Sequence, residues 1–293
     1  MRVDPRPLDT IATALEQTSQ HQNTLLQELS TGSSINAPSD NPVGAAQVLQ
    51  DTFQKSADTQ FGNNVANLQG QMQVASSALS SVATALTKAI QLGTEGATGT
   101  MSDTDRQAVA QEVSGIQSQL MGLANTQYQG SYLFGGTATT TPAYSADSNG
   151  VVSYSGNSGV NTAEISSGQF TPTNVPGSKL FAGSGTDMFK AMNDLATALQ
   201  SGTGIADATT EVQNSFNHVN TQTTFYGNTL SRLNSTSQFL SSEEVQLASN
   251  VSTVSGADLA KVSAELVQAS TATQALTGAA YQVNQLGLIS ILK

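Results

Sequence analysis

Apolar residues recur at three- and four-residue spacing along most of this chain, in runs separated by proline and glycine. Ile11, Leu15, Leu25 and Leu29 form the first stripe, with Thr18 and Gln22 at its polar middle. They predict a helix over 8–30 that stops at Gly32. A second helix is expected from near Pro42, capped by Ser39 or Asp40, to about Leu92, with a seam through Phe61, Val65, Leu68, Met72, Leu79, Val82 and Leu86. A third covers 104–127 on Val109, Val113, Ile116, Leu120 and Leu123. Helix returns over 187–200 and again over 207–254, where Val212, Phe216, Val219, Tyr226, Leu230, Leu233, Leu240 and Leu247 alternate by four and three. At about 1.5 Å per residue that last helix would reach roughly 70 Å.

The seven prolines agree with this division, since none falls within 43–141 or 177–293. Proline inside a helix costs about 3 kcal/mol, so these stretches are free to be helical throughout. Between them the character changes. From Tyr132 to about Gly185 the chain is rich in Gly, Ser, Thr and Tyr, and Asn149-Gly150 between AYSADS and VVSYSG is a strong hairpin signal. AEIS and QFTPTN read as further short strands.

After Ser255-Gly256 the pattern resumes and runs to the chain's last residue. Leu259, Val262, Leu266, Ala269, Leu276, Ala280 and Val283 fit one heptad lattice, followed by Leu286, Leu288, Ile289, Ile291 and Leu292. A lone amphipathic helix gains little stability until its apolar stripe is packed, so this tail requires a partner. The expected architecture is mainly α: a long antiparallel helical bundle and coiled coil built from both chain ends, with a small inserted β domain.

Composition narrows the partners. Lys+Arg number 10 against Asp+Glu 21, a formal charge of −11, which argues against nucleic acid or an anionic membrane surface. Only 11% of residues are charged, against about 25% in ordinary domains. Helix faces of Ser, Thr, Asn, Gln and Ala can lie beside identical neighbours without accumulating like charge, although such usage can also be a habit of the source organism. There is no cysteine, hence no disulfide, thiolate metal site or thiol nucleophile. The start, MRVDPRPLDTIATALEQ, lacks the apolar core of a cleaved secretory signal, and no run of about 18 apolar residues exists to span a membrane.

Little in the sequence suggests chemistry. His21 and His218 stand alone, without a second ligand at metal spacing. Glu243 and Glu244 are adjacent and point about 100° apart on a helix, which suits a solvated face better than an acid/base pair. The loop glycines at 183–185 and 202–204 fit no phosphate-binding fingerprint. Asn234 and Asn250 match the glycosylation sequon but lie within predicted helix. No catalytic, cofactor or metal residue is expected. An enzyme carried on this scaffold would have to work with Asp147, Glu164 and hydroxyls in 132–185.

Three segments resemble one family. LSTGSSINAPSDNPVGAA at 29–46 resembles the N-terminal signature of bacterial flagellins and their hook-associated relatives, ANTQYQGSYLFGGT at 124–137 resembles the end of the N-terminal helices in the junction-protein branch, and the tail resembles the shared C-terminal helix. Two departures stand out: Asn41 where a second Asp is common, and an LISILK ending closer to the flagellins. The resemblance implies a tubular axial component of the flagellum, either a junction adaptor or, alternatively, a filament subunit. It implies that residues 1–40 and 257–293 form a terminal coiled-coil layer, disordered in the monomer. Residues 41–131 and 186–256 would make a helical bundle, and 132–185 an outer β domain. Assembly would then rest on Ile11, Leu15, Leu25, Leu29, Leu259, Val262, Leu266, Leu276, Val283, Leu286, Ile289 and Leu292. The implied partners are copies of the chain, the first hook-associated protein, flagellin, and a cytoplasmic export chaperone on the C-terminal helix. The implied location is extracellular, after signal-less export by the flagellar type III apparatus.

Overall fold

The computed structural model of the chain describes residues 6–147, 150–183 and 185–291, with side chains described for 9–147, 150–183 and 185–285. The long helices are α1 (Arg6–Thr31), α2 (Pro42–Gly96), α3 (Asp103–Ala124), α5 (Met188–Ser201), α6 (Ile205–Ser255) and α7 (Leu259–Ile291), with a single turn, α4, at Gly177–Leu180. Each predicted helix is present. The chain divides into two compact units, Met1–Ala57 with Glu243–Lys293 and Asp58–Ser242, and the division falls within α2 and α6.

The second unit has the larger core. The predicted seam of α2 is buried there, with Val65, Met72, Leu79, Val82 and Leu86 all closed to solvent. Facing them are Val113 and Leu120 of α3, Met192, Leu195 and Leu199 of α5, and Val212, Val219, Tyr226 and Leu233 of α6. Gln69 donates to Asn234 Oδ1 at 2.8 Å, while Gly93 lies against Thr209, so α2 and α6 run antiparallel here. The termini of α3 and α5 follow capping rules: Ser102 Oγ accepts from Asp105 N, and Asp187 Oδ1 accepts from Phe189 N and Lys190 N.

Helix α3 ends at Ala124, three residues before its predicted end. The reason lies in Asn125, whose side chain accepts from Tyr144 N at 2.9 Å and donates to Tyr144 O at 2.8 Å, binding the chain to a strand 19 residues on. The segment then turns through a hairpin of β1 (Gln127–Tyr128) and β2 (Ser131–Tyr132).

The region rich in Gly, Ser, Thr and Tyr holds three further antiparallel hairpins: β3 (Tyr144–Ala146) with β4 (Val152–Tyr154), β5 (Thr162–Ser166) with β6 (Gln169–Pro172), and β7 (Ala182–Gly183) with β8 (Thr186–Asp187). Pairing of β3 with β4 closes at Ala146–Val152, so the turn is wider than the two-residue Asn149-Gly150 hairpin expected; Asn149 itself lies outside the described residues. Isolated two-stranded hairpins are marginal in water, and here helix side chains hold the β5–β6 hairpin and the residue that follows it. Asn64 of α2 donates to Glu164 O at 3.0 Å, Gln71 to Thr173 O at 3.1 Å, and Arg232 of α6 to Phe170 O at 3.3 Å. Beneath them Phe134, Tyr144, Phe181 and Phe189 pack ring to ring, with centroids 4.9–6.4 Å apart.

The YLFGGT stretch is explained by this packing. Leu133 and Phe134 enter the core, and Gly136 adopts φ 74° with its Cα against the carbonyl of Asn157. Gly136→Ala therefore meets both a left-handed backbone penalty and a backbone oxygen, and is expected to lower stability by about 1–3 kcal/mol in urea unfolding. Tyr144 gives the opposite expectation. It is buried, and among the described residues its hydroxyl has no hydrogen-bond partner. Burial opposes ionisation of the phenol and pushes its pKa up. Tyr144→Phe removes an unsatisfied polar group and is expected to raise stability by about 1 kcal/mol; a loss of stability would show that the hydroxyl is satisfied after all.

Candidate assembly interface

In the first unit the two chain ends pack against each other. Leu25 of α1 packs with Val262, Leu266 and Ala269 of α7, while Gln17, Thr18 and His21 share a cleft with Glu265, Gln268 and Ala272. Earlier residues of α1 thus meet later residues of α7, and the pair is antiparallel. The seam follows the expected lattice: Ile11, Leu15, Thr18, Gln22 and Leu25 on α1, and Val262, Leu266, Ala269, Thr273, Leu276, Ala280 and Val283 on α7, are all at least partly buried.

The burial is shallow. In this cluster only Leu25, Val262 and Ala269 are closed to solvent. Ile11, Leu15, Leu266, Leu276 and Val283 are half-buried. Leu29 and Leu259, placed on the same stripe by sequence, remain 39% and 50% exposed. The side chains of Leu286 and Ile289, and the whole of Leu292, lie outside the described residues. At about 1.5–3 kcal/mol for each fully buried large aliphatic side chain, Leu25 and Val262, joined by the small Ala269, give the pair a small apolar core for its length.

The ends are also tied by backbone. Ser34 N donates to Ser255 O at 2.7 Å and Ala257 N to Gly32 O at 3.0 Å, around an antiparallel bridge between Ser33 and Gly256. Several polar groups of the turn after α1 are satisfied locally. Thr31 Oγ1 donates to Asn36 Oδ1, Asn36 Nδ2 to Ser33 O, and Ser33 Oγ to Ile35 O, all at 2.8–2.9 Å. Asp40 Oδ2 accepts from the N–H groups of Ala37 at 2.7 Å and Asn36 at 2.9 Å.

This corrects the expected cap of α2. Neither Ser39 nor Asp40 fills that role; Asn41 Oδ1 accepts from Gly44 N at 2.9 Å. Asn and Asp cap helices about equally well, so the departure from Asp at this position keeps the cap. Asp40 instead closes the turn. The backbone donors of Ala37 and Asn36 favour its anion and hold its pKa below the ordinary carboxylate value. A group with a lowered folded pKa contributes in full above its unfolded value, about 3.9, and loses that contribution as pH falls through the folded one. Asp40→Ala is therefore expected to destabilise the first unit at pH 7, with wild type and variant converging in a thermal melt as pH falls through the lowered folded pKa.

Residues considered for chemistry have structural partners. Glu164 Oε1 accepts from Gly168 N and Asp147 Oδ1 from Val151 N, each within its hairpin. A ring nitrogen of His218 lies 2.9 Å from Lys179 O, and Glu244 lies 3.8 Å from Lys55. Asn234 and Asn250 accept from Gln69 and Gln246. Among the described residues no group of three or more His, Asp or Glu is placed to hold a metal, and no helix is long and apolar enough to cross a membrane.

One feature of the unit is absent from the expected interface. The first turns of α2 expose Val43, Leu49 and Phe53, and Leu49 lines an apolar groove of about 420 Å³ with Ile35, Pro38, Pro42, Ala45 and Val48. A period of three and four over Ala46, Leu49 and Phe53 is visible in the sequence. That it faces solvent is not, because the same pattern marks a buried seam further along α2.

Residues 9–139 match the model of the bacterial flagellin N-terminal helical region. Flagellar hook-associated protein 3 of Escherichia coli is 31% identical over 122 residues, covering 41% of this chain and 38% of that protein. Its namesake in Salmonella typhimurium is 29% identical over 156 residues, covering 53% and 48%. The chain thus spans less than half the length of either relative. In fold, it matches a solved structure from Vibrio parahaemolyticus described as a flagellar hook-associated protein, with a TM-score of 0.68, 21% identity, and coverage of 74% of this chain and 100% of that one. With the signature at 29–46 forming the turn that ties the paired ends, the N-terminal part of the chain is similar to the bacterial flagellin N-terminal helical region and to hook-associated protein 3.

Proposed function

We propose that the chain is an axial structural protein of the bacterial flagellum, a junction adaptor that joins the hook, through hook-associated protein 1, to the flagellin filament. One observation carries this reading: the two chain ends pair as long, sparsely charged helices that, among the described residues, bury only three side chains fully. Such a pair gains most of its stability when further helices cover its remaining faces. Likeness to proteins named hook-associated protein 3 supports the junction over the filament itself.

In this reading residues 1–40 and 257–293 form the inner layer, disordered in the free monomer and ordered on assembly. Residues 41–131 and 186–256 make the lateral helical contacts, and 132–185 face outward. The twelve apolar residues from Ile11 to Leu292 named from the sequence are the assembly set. Leu29 and Leu259, exposed in the single chain, await copies of the chain. The protein leaves the cell through the flagellar type III apparatus, with a cytoplasmic chaperone covering the C-terminal helix beforehand. A chain without cysteine suits a route that passes unfolded polypeptide.

Deleting the gene in its own bacterium tests the proposal. Complete hooks without filaments, with flagellin released into the medium, are expected. Hooks that still carry filaments would exclude the junction role.

A further inference from the structure

The apolar groove on α2 has a specific candidate occupant. Its floor is uncharged, since Pro42–Gln50 contains no Asp, Glu, Lys or Arg, and it is shaped by the turn that Asp40 and Asn41 lock. Leu49 on its wall is 59% exposed, and Phe53, one turn further, extends the apolar surface. Grooves of this kind accept a helix whose side chains repeat at three and four residues.

Each copy carries a net charge of −11, so a neutral face brings a second copy close without adding like charge. Helix α1 does not offer one, because Asp9, Glu16 and Glu28 lie along it. From Leu266 to Ile291, α7 carries no Asp, Glu, Lys or Arg. It also bears a second stripe, two residues out of step with the α1 seam and therefore about 200° around the helix. Ala260, Ala264, Val267, Gln274, Gly278 and Tyr281 on this stripe are all exposed. The small residues allow close backbone approach, and Val267 and Tyr281 stand out as knobs.

We infer that the groove of one copy receives this outer face of α7 from another copy. The inference rests on the assembly reading above and names the contact that propagates it. The two surfaces differ, so the contact is head-to-tail and repeats from copy to copy.

The chain has no native cysteine, so Leu49→Cys with Val267→Cys reports the contact cleanly. A disulfide forms only where Cα atoms come within about 7 Å. The full-length double variant, assembled at high concentration in ammonium sulfate and mildly oxidised, should give a ladder of dimers, trimers and larger species on a non-reducing gel. Each single variant should give dimers at most. In the same assay Leu49→Glu should lose the sedimenting fraction. Sedimenting material without a ladder, or a bond closed within one chain, would overturn the docking but leave the assembly reading intact. It would also mean that the groove serves another flagellar component or none. Failure of the wild-type chain to sediment would remove both.

Discussion

A chain ended at Gly256 should lose α1 as well as α7, and should fail to restore filaments in a deletion strain. The reason is that α1 has nothing else of its own to fold upon. Its fully buried apolar residue, Leu25, belongs to a cluster whose other members all come from the segment after Gly256. A helix of 26 residues with polar Thr18 and Gln22 in its stripe is marginal in water without that packing. Under assembly conditions, where the full-length chain protects residues 9–31, hydrogen exchange should show them at the level of an unfolded chain in the truncated protein. The second unit should stay folded, because its core runs from Val65 to Leu240 and includes no residue of α1 or α7. A full loss of protection in both units would mean that they fold as one.

The second large effect belongs to the aromatic cluster. Phe181 is 1% exposed, with its ring centroid 5.4 Å from Phe134, 5.7 Å from Tyr144 and 6.4 Å from Phe189. Phe181→Ala removes the ring that the other three share and leaves a cavity that the hairpins cannot close, costing about 3–5 kcal/mol. At about 2–4 °C per kcal/mol for a unit of this size, calorimetry should find its transition lowered by roughly 10 °C. A shift within 2–3 °C would mean that the hairpins hold to the helices mainly through Asn64, Gln71 and Arg232 rather than through the rings.

Helix existence was legible because periodicity and the absence of proline coincide over long runs, and boundaries fell within a few residues of those observed. The exceptions have local causes. Helix α3 stops early because Asn125 pairs with a strand that no short-range pattern reveals. The cap of α2 passed to Asn41 because Asp40 was already engaged by Ala37 and Asn36. The tail's bare stripe demanded a partner, and the family resemblance, not the stripe, pointed to the N-terminal helix. Which members of the stripe would be buried did not follow: Leu29 and Leu259 have the right spacing yet lie in the open. The turn that binds Ser34 to Ser255 was invisible too, since it joins residues 221 apart through backbone groups that any sequence carries.

The central claim, that this protein occupies the junction between hook and filament, is most directly tested by where it sits. An epitope inserted after Gly150, which is exposed, and labelled with gold should mark one narrow band at the hook–filament boundary of isolated flagella. Label distributed along the filament would identify a filament subunit instead and contradict the account.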